Sequence, residues 1–214
     1  MFAQTVENKP DYLSVHPWER YTQGFRKEHH FSLSLGSGQG RWKVSHFGDL
    51  RDASSSASSL WVKSQYSFHI QLWEGFGYFL GSSIGFSYEK TSHDLFKTKP
   101  SWHLPGLSLG LVYNQSPVVR YLMFQEVYLE RMENLAGSQG GDPLSLDANL
   151  FCLVDVAIAI DYFFSLRFGL RLEAHYRKLF YSSPDNAKSS DLPEGARFEK
   201  EDRWIGLGLV SHMI

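Results

Sequence analysis

The residues able to do chemistry stand as isolated pairs. Glu173 and His175 are two apart, a spacing that on an extended strand puts both side chains on one face. A carboxylate there can orient an imidazole as a general base, but the sequence identifies no serine to complete a nucleophilic set. Ser211 and His212 are adjacent, so on a strand they point to opposite faces and fail as a nucleophile–base pair. His29 and His30 form a doublet, and His46, His93 and His103 are scattered. None shows metal-ligand spacing, so no metal is expected. "GSGQG" at 36–40 has the glycines of a phosphate loop but no following lysine or helix, and reads as flexible backbone. A single cysteine, Cys152, excludes an intrachain disulfide framework and the common zinc patterns. The expectation is therefore no catalytic group and no cofactor.

The charged residues carry more information, and placing them requires the elements that hold them. Residues 59–74, "SLWVKSQYSFHIQLWE", alternate. Leu60, Val62, Tyr66, Phe68, Ile70 and Leu72 oppose Trp61, Lys63, Gln65, Ser67, His69, Gln71 and Trp73. This is the period of a two-sided strand, about twice the usual length. The same alternation recurs in "HFSLSLG", "GFGYFLGSSIGFSYE", "LSLGLVY", "VVRYLMFQEVYLER", "LFCLVDVAIAIDY", "SLRFGLRLEAHYRK" and "RWIGLGLVSHMI". In the fifth segment the pattern is less clean, because Leu122 and Phe124 share the polar side. Eight strands are expected, with no helical period within 29–214. Residues 1–28, interrupted by Pro10 and Pro17, read as an N-terminal extension.

The connections alternate in length. "WEG", "NQSP" and "YFF" are short, whereas residues 45–58, 90–102, 132–148 and 180–202 are long, and "DASSSASS" and "SPDNAKSSDLPEG" read as mobile loop tips. Long and short connections thus segregate to opposite ends. A net charge of −2 without a basic run argues against a nucleic-acid partner.

Alternation alone leaves the inside face open. A lipocalin-like soluble barrel buries the apolar set. A transmembrane barrel turns it to lipid. Strands of about ten residues or more match the ~9–11 tilted residues that cross a hydrocarbon layer. The polar face is rich in Gly, Ser and Ala, which suits a crowded eight-strand interior. Aromatics gather near the strand ends, with Trp73, Phe76, Tyr113, Tyr162, Phe163 and Phe164 at one end and Tyr88, Tyr176, Phe180, Tyr181 and Trp204 at the other, as membrane interfaces favour. The fold class expected is all-β: an eight-stranded antiparallel up-and-down transmembrane β-barrel over residues 29–214, with the 1–28 extension. On the lumen face this reading places Lys63, Arg120, Arg167, Arg171 and Arg177 against Glu126, Glu130, Asp155, Asp161 and Glu173, with His175 among them. An equal count of buried charges suggests a cross-linked, closed interior.

Over 29–214 the pattern resembles, by architecture and without a diagnostic motif, the small eight-stranded outer-membrane barrels of the OmpA/OmpX type. Such proteins usually end in an aromatic residue, whereas this chain ends "LGLVSHMI". The resemblance implies an exported precursor and the outer membrane of a Gram-negative bacterium. Its implied partners are outer-membrane lipid and lipopolysaccharide, and the barrel-assembly machinery during biogenesis. Long connections would then face the exterior and both termini the periplasm. The leading function expected is non-enzymatic, structural or surface-interacting. A lipid-modifying acyl hydrolase or transferase, and a soluble carrier of an apolar ligand, stand as alternatives.

Overall fold

The computed structural model describes residues 26–47, 50–73, 75–91, 100–139, 142–182 and 197–213. Eight strands account for almost all of them: β1 (Arg26–Phe47), β2 (Leu50–Trp73), β3 (Phe76–Thr91), β4 (Ser101–Asn114), β5 (Val119–Gln139), β6 (Asp142–Phe163), β7 (Phe168–Ser182) and β8 (Arg197–Met213). Each strand pairs antiparallel with its neighbour in sequence, and β1 pairs with β8, so the sheet closes into a barrel. This is the eight-stranded up-and-down architecture expected from the alternation. Closure removes the exposed edges that an open sheet would present. Of the extension assigned to 1–28, residues 26–28 belong to β1 and the rest lie outside the described residues.

The two faces of the wall differ sharply. Leu35, Leu60, Leu107, Leu109, Ile158, Ile205 and Leu207 project outward, each about 60% exposed or more. Their strand neighbours Ser34, Trp61, Ser108, Ala157, Ala159, Trp204 and Val210 project inward and are buried. Leu122 and Phe124, the pair that broke the alternation of β5, belong to this inner face. They pack with Phe79, Val112, Ala157 and Ala159 into an apolar plug. Their parity was therefore correct, and their apolarity reflects side-chain packing inside a narrow barrel. Glycines on the inner face make room for large rings. A Cβ at Gly206 would lie 2.7 Å from Trp61 Cη2.

Three expectations are corrected. Residues 45–58 and 132–148 were expected to be connections, and "DASSSASS" a mobile tip. Instead β1 and β2 pair as far as Phe47 and Leu50, and β5 and β6 as far as Gln139 and Asp142. Within "DASSSASS", the serines and alanines at 54–59 alternate outward and buried as strand residues. Backbone pairing continues there through residues whose sequence shows no clean period of two. Residues 183–195, the other proposed tip, lie outside the described residues. Second, Leu166 and Arg167 were assigned to the seventh strand. They sit exposed in the turn 164–167 before β7. There Ser165 Oγ accepts hydrogen bonds from the Arg167 and Phe168 amides at 3.3 and 2.9 Å, a local alternative to ladder pairing. Third, Trp204 was placed in an aromatic belt but is buried in the lumen.

The connections β2–β3, β4–β5 and β6–β7 lie at one end, and those of β1–β2 and β5–β6, two residues each, at the other. Gly75 takes a positive φ of 86° between β2 and β3, a conformation that glycine adopts without the Cβ penalty. Its carbonyl accepts from the Asn114 amide at 2.8 Å. Turns 115–118 and 164–167 share this end with the start of β1 and the end of β8.

Candidate functional site: the charged lumen

The inner face carries an almost continuous polar network. Near the short-turn end, Arg171 on β7 grips Asp161 on β6 with two bonds, Nε to Oδ1 at 2.7 Å and Nη2 to Oδ2 at 3.0 Å. Such bidentate pairing fixes orientation as well as charge. Its Nη1 crosses the lumen and donates to Ser32 Oγ on β1 and Gln65 Oε1 on β2, at 3.0 and 2.9 Å. Arg120 adds a second cation to Asp161 at 3.4 Å and lies over the Phe163 ring at 4.6 Å.

Further up the barrel, Gln65 passes the network on by donating to Glu126 at 3.0 Å. Lys63 donates to the other Glu126 oxygen at 2.6 Å. Asp155 is 2.7 Å from His175 Nδ1 and accepts from Tyr128 Oη at 3.1 Å. His175 stacks on Trp204 at 3.5 Å, and its Nε2 is 3.6 Å from Glu173. At the far end, Arg177 holds Asp202 at 2.8 Å and Glu130 at 3.3 Å. Lys200 binds Glu89, and also Glu130 at 3.0 Å and Asp202 at 3.3 Å. Trp42 Nε1 donates to Glu89 at 3.0 Å.

Of the eleven residues expected on the lumen, Lys63, Arg120, Glu126, Glu130, Asp155, Asp161, Arg171, Glu173, His175 and Arg177 are buried there. Arg167 is not; it is exposed in the turn before β7. The expected equality of charge changes accordingly. The buried cations Lys63, Arg120, Arg171, Arg177 and Lys200 meet the buried carboxylates Glu89, Glu126, Glu130, Asp155, Asp161, Glu173 and Asp202. Glu89, Lys200 and Asp202 were missed. In "RFEKEDRW" charges fall on both faces, Lys200 and Asp202 inward and Arg203 outward, so no polarity period marks the strand.

Ser67 Oγ lies 2.8 Å from His69 Nε2, a nucleophile–base contact that sequence reading overlooked although both residues share the polar face of β2. The other ring nitrogen of His69 meets Arg120 at 3.2 Å. A cation there is the opposite of the carboxylate that orients a catalytic imidazole. Ser211 and His212 diverge as expected: His212 pairs across from the buried His30, and Ser211 from the outward Phe31. Glu126, Asp155 and His175 bring ligand atoms within 4.8 Å of one another, but the Lys63 ammonium already neutralises Glu126. His103 stacks on Tyr128 at 3.5 Å. His46 and His93 lie where no side chain is described. Between Trp61, Lys63, His103, Tyr128, Glu130 and Arg177 the lumen leaves a cavity of about 20 Å³, the room of a single water.

No family model and no curated protein matches the sequence. Among solved structures, the chain is similar to Ail, the attachment invasion locus protein of Yersinia pestis (12% identity, 86% of this chain and 99% of that one, TM-score 0.39). It is similar also to Neisserial surface protein A (12%, 84% and 96%, 0.36) and to the outer membrane protease OmpT from Escherichia coli (10%, 87% and 97%, 0.46). The barrel of this chain is set by its own strand register, closed by β1 against β8.

Proposed function

We propose that this chain is an integral outer-membrane β-barrel of a Gram-negative bacterium with a closed, charge-cross-linked lumen and a non-enzymatic, structural or surface-presenting role. One observation carries the reading: the wall is inside out relative to a water-soluble barrel. Leucines and isoleucines stand exposed around the circumference, while arginines, lysines and carboxylates are buried within. In water the exposed belt would be a large apolar patch of the kind that marks a membrane surface. In lipid the same belt meets acyl chains, and only a closed barrel can satisfy its backbone there. Above the belt the outward residues turn polar: Gln39, Arg41 and Lys43 on β1, and Arg197, Glu199, Glu201 and Arg203 on β8. The strands, from 14 to 24 residues, exceed the ~9–11 needed to cross the hydrocarbon, and the surplus forms a polar rim beyond it. That rim lies opposite the turns 115–118 and 164–167, so it faces the exterior, and those turns with the start of β1 and the end of β8 face the periplasm.

The interior supports a structural role. Arg171, Gln65, Glu126 and Lys63 tie β7 to β2 and β5 across the lumen, and the cavity beside them has the room of a single water. Two measurements test the reading together. The folded protein in detergent should run as a compact band that shifts on boiling, and in planar bilayers it should give no large, steady conductance. Full solubility without detergent would overturn the membrane assignment. A stable open channel would overturn the closed lumen.

A further inference from the structure

We infer that Glu28, His30 and His212 form a binding site for a divalent transition cation, zinc above all, across the seam where the barrel closes. Sequence spacing cannot show this site, because its two imidazoles come from opposite ends of the chain. Antiparallel pairing of β1 with β8 sets His30 directly across from His212, and Glu28, two residues before His30, shares the inner face. The two rings stack with centroids 4.8 Å apart and planes 22° from parallel. Both aim Nε2 at the same carboxylate oxygen: Glu28 Oε2 lies 3.1 Å from His30 and 4.0 Å from His212. One ligand atom from each residue falls within 4.8 Å of the other two.

Two histidines and a glutamate are a zinc donor set with a fourth position open to water, and imidazole favours zinc, copper and nickel over calcium or magnesium. Tetrahedral bonds of ~2.0–2.1 Å require the three atoms to draw in by an ångström or so, within the reach of side-chain torsions. The backbone beneath is held: the His212 amide donates to the Arg167 carbonyl at 2.7 Å. His30 is buried, whereas Glu28 and His212 keep some exposure at the short-turn mouth, which gives an ion its path in. The opposing charge is Arg120. Its guanidinium lies 2.8 Å from His30 Nε2 and 3.8 Å from Glu28. An ion must take that lone pair, and Arg120 then keeps Asp161 and the face of Phe163. Arg120 thus sets the affinity, and the bound ion pins β1 to β8.

The test uses the full chain folded in detergent, with heat-modifiable mobility confirming each variant's fold. Zinc titrated by calorimetry in a chelator-buffered series should bind at one equivalent. His30→Ala and His212→Ala should weaken it tenfold or more. His29→Ala, which removes the outward neighbour bonded to Tyr66, should leave it unchanged. Arg120→Gln should tighten it. Cobalt in place of zinc should give visible ligand-field bands in the wild type that His212→Ala abolishes. If His212→Ala does not fold, His212→Gln replaces it in the same comparison. Zinc that binds His212→Ala or His212→Gln as tightly as wild type, or no binding to the folded wild type, would overturn the site.

Discussion

The outer wall and the lumen are made by the same eight strands, residue by residue in turn, yet they are held to different standards. On the wall, Leu107, Leu109 and Leu170 need only be apolar, since lipid adapts to whatever shape they present. In the lumen, Arg171 must meet Asp161, Ser32 and Gln65 at once. A buried charge that loses its partner has no solvent to turn to. The wall is therefore tolerant in detail and strict in polarity. The lumen is strict in both.

Breaking the lumen should show the largest effect. Asp161→Ala leaves Arg171 and Arg120 without their shared carboxylate and should cost roughly 3–5 kcal/mol, the usual consequence of orphaning a buried charge. Urea unfolding in lipid vesicles measures it. A loss no greater than that from Arg203→Ala, on the exposed rim, would mean the network is dispensable. The wall comes next. Leu170, 43% exposed and facing outward, replaced by arginine should cost roughly 2–4 kcal/mol if it meets the bilayer midplane. The same vesicle titration decides it, and an unchanged stability would remove lipid from this face.

Packing in the lumen ranks third. Gly206→Ala sets a methyl 2.7 Å from the Trp61 ring and 3.2 Å from the Leu35 carbonyl, and overpacking of this kind costs about 1–3 kcal/mol. Fluorescence of the buried tryptophans should shift with it, and a variant as stable as wild type with the same emission would show spare room. The rim should be least sensitive. There the Lys178 ammonium bonds the Glu199 carboxylate, which depresses the Glu199 pKa and raises that of Lys178. A depressed carboxylate stabilises above its unfolded pKa and loses that contribution as pH falls through the folded value. A raised lysine loses its own as pH rises through its folded value. A double-mutant cycle on this exposed pair should therefore show a small coupling at neutral pH that vanishes in acid. A coupling as large as that at Asp161 would erase the distinction between rim and lumen.

The Glu28–His30–His212 group and the ion network illustrate where legibility stops. Alternation in "SLRFGLRLEAHYRK" marked Arg171, Glu173, His175 and Arg177 as one face. It also claimed Arg167, which a serine-capped turn removes from the strand. In "RFEKEDRW" charge on both faces concealed Lys200 and Asp202, because beyond the hydrocarbon belt both sides of the wall tolerate polarity.

By itself the sequence determined the element type, the number of strands and, over most of each strand, which residues share a face, since these follow from a period of two. It determined the apolar belt for the same reason. Only the tertiary structure decided which inner residues meet. The pairing of Arg171 with Gln65, of Lys200 with Glu89 and of His30 with His212 depends on register and closure, and those bring together positions as far apart as the two ends of the chain.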